Sequence, residues 1–373
     1  MNKNSNMLYR KLGKSGFDIS ALSFGTMRWI SEESCYDTVQ RGIDAGMNYF
    51  DNSTGYVGGK SEVWTGRAVK NRRSEVYFSS KTKYGRAPSE SEIRRAIEES
   101  LVRAEMDYFD FYQLWGLNTM DMLNSALKKG GFVDGIRKAM ADGLIRHGLG
   151  FTFHGTPDVF RAAIDTGEFL CATVSYNLMK RTEEDNICYA ADHGVGVFVM
   201  NPLGGGVLAL TGDERYSFMT GQGSGPWYGA LRFLLANGGV TAALVGATSP
   251  EQVEKDLEAL MDAETLTGDW RRSMAETVDR VELTDPGFCT GCRYCEVCAH
   301  GFGPSKLMQA LRNAKLYNVK DGDLKQWIYS AYVHDLLPEE LLARCTSCGL
   351  CEAKCPQHLQ IVEEIKRAKG LFL

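Results

Sequence analysis

Eight of the eleven cysteines fall between residues 289 and 355, in two groups of four. The groups are Cys289, Cys292, Cys295 and Cys298, and Cys345, Cys348, Cys351 and Cys355. The second group has gaps of two, two and three residues and is followed by Pro356. With this spacing, three close cysteines bind one face of an iron–sulfur cubane. The first group is one residue tighter and is followed by Ala299.

Zinc is the alternative, because Cys-x-x-Cys pairs also build zinc sites. Zinc sites use pairs, however, and four closely spaced cysteines occurring twice favour two [4Fe-4S] clusters. In such runs the fourth cysteine of each group reaches the other cluster. The spacing therefore predicts that Cys289, Cys292, Cys295 and Cys355 bind one cluster, and that Cys345, Cys348, Cys351 and Cys298 bind the other. Cys35, Cys171 and Cys188 are expected to be small core residues.

A second group of chemical residues follows apolar segments in the first half of the chain. Asp51 ends MNYFD, Tyr56 comes five residues later beside glycines, and Lys81 ends EVYFSSK. A tyrosine can donate a proton in a reduction if a neighbouring ammonium lowers its pKa and an aspartate holds that ammonium in place. We therefore expect a general-acid triad. Lys83 competes with Lys81, since both point to one side of a strand, and Asp51 and Tyr56 could instead be a turn cap and a half-buried aromatic.

The elements that would position these residues alternate along the chain. Eight apolar, β-rich segments occur between about residues 19 and 262, each followed by a helical segment. They are ISALSFGTM, MNYFD, EVYFSSK, YFDFYQLWG, IRHGLGFTF, CATVSYN, GVFVMNPL and TAALVGA. Eight strand–helix pairs predict an α/β fold, a (β/α)₈ TIM barrel with its chemistry at the carboxyl ends of the strands.

Composition changes near Asp285, and a mostly helical segment separates the two cysteine groups. We expect a barrel domain over residues 1–283 and a cluster domain over residues 284–373. The net charge of −5 gives no reason to expect nucleic acid or an anionic membrane as a partner. The sequence has no long apolar run and its first residues are not those of a signal peptide. A cytoplasmic location is expected.

Several segments together resemble the aldo/keto reductases. They run in order from LYRKLGKSGFDISALSFGTM through FDNSTGYVGGKSE, DYFDFYQLWG and MNPLGGG to VGATSPEQVEKDL. With the cysteine-rich tail, the chain is similar to the branch that carries a C-terminal 4Fe-4S domain of the α-helical ferredoxin type. The resemblance implies that Asp51, Tyr56 and Lys81 are catalytic and that NADPH or NADH binds at the barrel mouth. It implies nicotinamide contacts at Gly25, Thr26, Asp51, Thr152, Leu203, Gly246 and Gln252.

The chain departs from the family pattern at several of these positions. Trp115, in YQLWG, occupies the place of a fourth catalytic residue, a histidine. An indole can donate one hydrogen bond but carries no proton, so Trp115 could orient a carbonyl, stack on a flat substrate or fill the pocket. His154 could act as an alternative acid or be a structural histidine. No Arg or Lys stands at Gly246 or Gln252 to bind a 2′-phosphate.

These features predict an iron–sulfur oxidoreductase that reduces a carbonyl or conjugated double bond of a small organic substrate. NAD(P)H, electrons relayed by the clusters, or both would supply the reducing power. An external one-electron partner such as ferredoxin is implied, because no flavin motif links hydride transfer to single-electron transfer. Two alternatives stay open. One is a ferredoxin-fed reductase without a nicotinamide, and the other is an electron-transfer or sensor module on a catalytically inactive barrel.

Overall fold

The computed structural model describes two compact units, each built from its own stretch of chain. The first comprises residues up to Leu203 together with Ser217–Thr277, and the second comprises Gly204–Tyr216 and Val278–Leu373. The described residues are 7–83, 89–209, 214–220, 225–280, 289, 291–316, 319–331 and 338–372.

The first unit is a closed barrel of eight parallel strands. Its strands are β3 (Leu22–Gly25), β4 (Tyr49–Asp51), β5 (Tyr77–Lys83), β6 (Phe109–Trp115), β7 (Ile145–Phe153), β8 (Cys171–Ser175), β9 (Gly196–Met200) and β10 (Ala242–Val245). They pair in chain order, and β10 closes the ring against β3. The predicted (β/α)₈ barrel is confirmed, and each predicted apolar segment contributes one of these strands.

Helices follow the strands, and several begin at residue types that favour helix N-termini. They are α1 (Glu32–Asp44), α2 (Lys60–Val69), α3 (Glu90–Ala104), α4 (Met120–Leu127), α5 (Phe132–Ala141), α6 (Pro157–Asp165), α7 (Glu184–Asp192), α8 (Trp227–Leu235), α9 (Pro250–Glu258) and α10 (Gly268–Arg280). The Ser89 side chain accepts a hydrogen bond from the backbone N–H of Glu92, and the Glu92 carboxylate accepts one from the backbone N–H of Ser89. The two bonds form a capping box. Ser249 likewise caps α9, with Pro250 in the first helical position.

The first apolar segment forms two strands rather than one. A short hairpin pairs β1 (Tyr9–Lys11) with β2 (Asp18–Ser20), and the barrel strand β3 begins only at Leu22. The Ser23 hydroxyl donates to the Ser20 carbonyl at 2.8 Å, and the two serine hydroxyls lie 2.8 Å apart. These local bonds offer the backbone an alternative to a continuous ladder, which explains the break.

The barrel interior is filled by aromatic side chains at the end opposite the strand carboxyl ends. Tyr49 stacks on Phe198 with ring centroids 4.1 Å apart, and Phe111 packs beside Tyr49. Cys171 belongs to this cluster, and Cys35 is buried as well, as expected. Cys188 is exposed on α7, so the expectation was wrong for that residue. Helix α7 turns this position outward, and Ile187 and Ala190 are buried instead.

The second unit is mostly helical, as the sequence predicted. Its helices are α11 (Pro304–Leu316), α12 (Asp321–Ala331), α13 (Pro338–Ala343), α14 (Leu350–Ala353) and α15 (Ile361–Phe372). A core of Leu307, Ile328, Leu342 and Ile365 holds them together and includes buried cysteines. None of the helices in the described part of either unit has both the length and the apolar character needed to cross a bilayer.

Candidate active site and cysteine loops

Asp51 and Lys81 form a buried ion pair at the carboxyl ends of adjacent strands. Asp51 ends β4, and Lys81 lies on β5, two residues beyond the Ser79 that pairs with Asp51. The Lys81 Nζ lies 2.5 Å from the Asp51 Oδ2 and 2.9 Å from the backbone oxygen of Asn52. Both side chains are almost wholly buried, so the carboxylate and the ammonium compensate each other's charge. The ion pair also fixes the position of the ammonium.

Tyr56 lies against this pair in the turn that follows β4. The Lys81 Nζ is 4.8 Å from the centre of the Tyr56 ring. The next three residues, Val57, Gly58 and Gly59, all have positive φ angles, of 52°, 62° and 88°. A β-branched residue rarely adopts this conformation, and its presence beside a chemical residue indicates local strain at a functional turn. The turn thus delivers the phenol to the lysine.

The pKa of Tyr56 moves in the direction opposite to the one predicted. Burial raises the pKa of the phenol well above 10.0, the Asp51 carboxylate raises it further, and the Arg28 guanidinium lowers it. The prediction that Lys81 would give a lowered pKa was therefore wrong for this structure, since desolvation of the phenolate dominates. The phenol therefore keeps its proton at neutral pH.

Trp115 completes the group at the end of β6. Its ring meets the Tyr56 ring edge to face, with centroids 5.7 Å apart and an interplanar angle of 77°. A Cβ placed on Gly55 would lie 3.3 Å from the indole, so the glycine lets the loop pass close to it. The four residues predicted to be catalytic are contiguous, and the indole occupies the space next to the phenol.

Gln113 is a site residue that the sequence analysis missed. Its Nε2 donates to the Asp51 Oδ1 at 2.7 Å, and its Oε1 accepts from the Thr173 hydroxyl at 2.8 Å. The Asp51 carboxylate is therefore held by Gln113 on one oxygen and by Lys81 on the other. The available signal was spacing, because Gln113 is two residues before Trp115 and points to the same side of the strand.

The positions predicted to contact a nicotinamide line the strand ends and the start of α9. The Thr26 hydroxyl donates to the Asp51 carbonyl at 3.0 Å, which ties the end of β3 to β4. The Thr152 hydroxyl accepts from the backbone N–H of Gly116 at 2.8 Å. The Gln252 Oε1 accepts from the backbone N–H of Thr248 at 2.8 Å. Of the remaining positions, Gly25 ends β3, Leu203 follows β9 and Gly246 follows β10.

Arg28 is a second residue that the sequence analysis missed. It is exposed at the end of the short 3-10 turn Thr26–Arg28, directly after β3. A Cβ on Gly246 would lie 3.3 Å from the Arg28 Cγ. The guanidinium is also near enough to lower the pKa of Tyr56. The Arg28 guanidinium, from the loop after β3, thus places a positive charge beside Gly246, where the sequence itself has no Arg or Lys.

Other predicted positions have less direct roles. The backbone N–H of His154 donates to the Asn118 Oδ1 at 2.8 Å. Asp256 on α9 is buried, and burial raises the pKa of its carboxyl to about 8. Among the described residues, this carboxyl has no hydrogen-bond or ion-pair partner. The side chain of Lys83 lies outside the described residues.

The cysteines of the second unit divide into two sets. Burial, together with the nearby thiols of Cys292, Cys289 and Cys355, raises the pKa of the Cys295 thiol to about 12. Cys289 is likewise affected by Cys292 and Cys355. These four residues are the inner thiol set. Cys355, from the second group, lies with three cysteines of the first.

The other four cysteines surround a cavity. It is lined by Cys298, Cys345, Cys348 and Cys351, which are the outer thiol set, together with Phe302, Pro304, the residues 346–350, Val362 and Ile365. The backbone N–H of Ser347 lies 3.4 Å from the Cys345 Sγ, and that of Gly291 lies 3.4 Å from the Cys289 Sγ in the inner set. Four thiols around a cavity, with N–H groups aimed at sulfur, fit an iron–sulfur cubane. Among the described residues, no group of three or more His, Cys, Asp or Glu side chains is placed to hold a single metal ion.

Comparison with known proteins gives the family. A model of the aldo/keto reductase family matches residues 21–269, and a model of a 4Fe-4S dicluster domain matches residues 288–360. The first match covers more than half of the chain, so the chain belongs to the aldo/keto reductase family. It is an oxidoreductase of that family with a C-terminal 4Fe-4S domain, and the predicted resemblance is confirmed.

Individual relatives match the barrel and most of their own length. L-galactose dehydrogenase of Arabidopsis thaliana is 27% identical over 308 residues, which are 73% of this chain and 92% of that protein. NADH-specific methylglyoxal reductase of Escherichia coli (strain K12) is 24% identical over 336 residues, 72% of this chain and 98% of that one. The holo form of an aldo-keto reductase from Bacillus halodurans, AKR11C1, superposes with a TM-score of 0.63 at 24% identity. The superposition covers 73% of this chain and 96% of that chain.

Proposed function

We propose that the chain reduces a carbonyl group or a conjugated double bond of a small organic substrate, with Tyr56 as the proton donor. The observation that carries this proposal is the contact of Lys81 with both Asp51 and the Tyr56 ring at the barrel mouth. A protonated phenol beside a fixed ammonium can give its proton to a developing oxyanion or carbanion. The phenolate left behind then lies next to the Lys81 charge.

Each of the other side chains has a positioning task. Gln113 and Lys81 hold the two oxygens of Asp51, so the ammonium cannot turn away from the phenol. Trp115 restricts the phenol from one side and offers a flat apolar wall to the substrate. A planar, conjugated substrate fits such a wall better than a small aldehyde does.

We propose that a nicotinamide dinucleotide binds at the same mouth, where a bound nicotinamide supplies a hydride. The N-terminus of α9 carries the positive end of the helix dipole, and Arg28 adds a positive charge beside Gly246. Both features suit a pyrophosphate or a phosphate. Arg28 therefore supports NADPH as well as NADH, although Gly246 and Gln252 carry no charge.

We also propose that the inner and outer thiol sets hold one [4Fe-4S] cluster each, which would exchange single electrons with a carrier such as ferredoxin. The match to a dicluster model and the two separate sets support a count of two.

Tyr56→Phe tests the catalytic assignment. The change removes the transferable proton and almost no volume, so we expect turnover of the true substrate to fall by about a hundredfold or more. Iron content, cluster spectra and melting temperature should stay at wild-type values. A Tyr56→Phe protein that keeps full turnover would contradict the general-acid role.

A titration separates the proposal from its two alternatives. The anaerobic protein is titrated with NADH, NADPH and reduced ferredoxin while nicotinamide and cluster absorbance are followed together. Reduction by ferredoxin without nicotinamide binding would favour the ferredoxin-fed reductase. The lack of charge at Gly246 and Gln252 supports this alternative. Cluster reduction with no substrate turnover under any reductant would favour the electron-transfer or sensor module.

A further inference from the structure

We propose that the outer thiol set is the electron-exchange surface of the protein and that an acidic one-electron carrier protein docks there. The inference rests on the proposed function in one respect, namely that the thiolates hold clusters. It goes further by making the two sets unequal and by identifying the docking residues and the charge of the partner.

The two sets differ in their exposure to solvent. In the inner set, Cys289, Cys295 and Cys355 are 8%, 7% and 8% exposed, and only Cys292 is half-buried. In the outer set, Cys348 is exposed and the other three are half-buried. Electron tunnelling slows steeply with the distance between donor and acceptor. A carrier that touches the surface therefore comes closest to a group held by the outer set.

The cavity of the outer set has one buried and one exposed wall. Phe302, Pro304, Val362 and Ile365 are buried, whereas the loop residues Thr346, Ser347, Cys348 and Leu350 are exposed. The loop is a thin cover, because its side chains are small apart from Leu350. A group held in this cavity is thus separated from solvent by one layer of loop.

Leu350 is an exposed apolar residue at the end of this loop, where α14 begins. It is 53% exposed and lies between Cys348 and Cys351. A single exposed apolar side chain is common on protein surfaces, and Leu350 is distinguished by its place two residues from the exposed Cys348. Electron-transfer encounters use small and transient interfaces, so one apolar contact beside the outer thiol set is a substantial part of such an interface.

The charges around the loop select the partner. Arg344 and Lys354 are exposed on its two sides, and neither has an ion-pair partner among the described residues. In the sequence between Arg344 and Lys354 the only carboxylate is that of Glu352. It is half-buried and accepts a hydrogen bond from the Val362 backbone N–H at 2.8 Å. The loop therefore presents positive charge, which steers an acidic carrier toward it and raises the association rate.

The electron balance is simple. Each encounter removes one electron from the reduced carrier, which is oxidised, and adds one electron to the group held by the outer thiolates. Two encounters supply two electrons, which with two protons are equivalent to the hydride and the proton that NAD(P)H and Tyr56 otherwise deliver to one carbonyl or one carbon–carbon double bond. No bond between the carrier and this chain is formed or broken.

The decisive experiment uses the anaerobically reconstituted full-length protein and a purified acidic bacterial ferredoxin, reduced and freed of excess reductant. Cluster reduction is followed by stopped-flow absorbance for wild type, Leu350→Ser and the matched control Val102→Ser. Val102 is an exposed aliphatic residue on α3 of the barrel, 78% exposed. We expect Leu350→Ser to slow the second-order rate by about tenfold and Val102→Ser to leave it unchanged. Equal rates for Leu350→Ser and wild type would overturn the proposal.

A small donor and a charge-reversed variant complete the design. Reduced methyl viologen needs no docking surface, so it should reduce wild type and Leu350→Ser at one rate. A loss with viologen as well would mean that the substitution harms the cluster, and the docking role would be overturned. The double variant Arg344→Glu, Lys354→Glu should slow reduction by ferredoxin at low salt and approach wild type at high salt. An unchanged rate at low salt would contradict the acidic partner.

A further measurement tests whether the outer and inner thiol sets differ in their exposure to solvent. With an iron chelator, the wild-type protein should lose about half of its iron quickly and the rest slowly, because iron held by the exposed set is more accessible. Loss in a single phase would contradict an outer and an inner site. None of these readouts uses Tyr56 or a substrate. An inactive barrel with normal cluster reduction would therefore count against the proposed reductase activity and leave the docking surface standing.

Discussion

Asp51 is held on both oxygens, by Lys81 on one and by Gln113 on the other. A hydrogen bond to a charged group contributes about 1.5–3 kcal/mol, so Gln113 has a measurable share in fixing the ion pair. Thr173 in turn fixes the Gln113 amide, so its Nε2 and not its Oε1 faces the carboxylate. Gln113 therefore acts through Asp51 and is a positioning residue.

Gln113→Leu should lower kcat by about tenfold with little change in KM, since the ammonium is less well placed in the transition state. Thr173→Val is the matched control and should give a smaller loss of the same kind. A Gln113→Leu enzyme that unfolds more easily but keeps its kcat would show that the role is structural.

Trp115→His should shift substrate preference toward simple aldehydes and ketones. Histidine would place a compact donor next to the phenol and open the space that the indole fills. Planar enones would lose a stacking surface, so their turnover should fall as that of small carbonyls rises. The measurement compares kcat/KM of both proteins on a panel of each substrate type. A wild type that already reduces small aldehydes as well as the variant does would exclude Trp115 as the selectivity element.

At the scale of elements, α9 carries a buried carboxyl with no described partner, Asp256. Its pKa in the folded chain is about 8, against about 3.8 for an ordinary aspartate. The folded state therefore binds more protons than the unfolded state between these two values. Stability from this group is present below about pH 4 and is lost as the pH rises toward 8.

Asp256→Asn removes this dependence, since an amide does not ionise. The stability of the variant relative to wild type should rise between pH 5 and pH 8 by on the order of 4 kcal/mol. Denaturant unfolding at both pH values measures the difference. An equal difference at the two pH values would mean that the carboxyl is not the titrating group.

At the scale of the whole molecule, the iron content distinguishes two clusters from one. We expect about eight irons and eight sulfides per chain after anaerobic reconstitution, because two sets of four thiols are present. Chemical analysis of iron and sulfide together with the protein concentration checks this number. About four irons would leave one cluster, and stoichiometric zinc would contradict iron–sulfur binding altogether.

Most of the architecture could be predicted from the hydrophobic periodicity of the sequence and the spacing of its residues. The eight barrel strands follow from apolar segments at regular intervals, because the alternation of strand and helix segments is a local signal. The cysteine spacing and the family motifs indicated the 4Fe-4S domain and the reductase family. Local sequence was enough, because strand, helix and cluster loops depend on residues close together in the chain.

Tertiary structure decided what depends on distant residues. Gln113 reaches Asp51 from another strand, and Arg28 reaches Gly246 from the far end of the barrel sequence, and no local pattern indicates either contact. The pKa of Tyr56 was predicted in the wrong direction because the sequence shows a nearby lysine but not the burial of the phenol. Exposure likewise separates the outer from the inner thiol set. Burial is a property of the packed molecule, since it depends on what the rest of the chain places over each group.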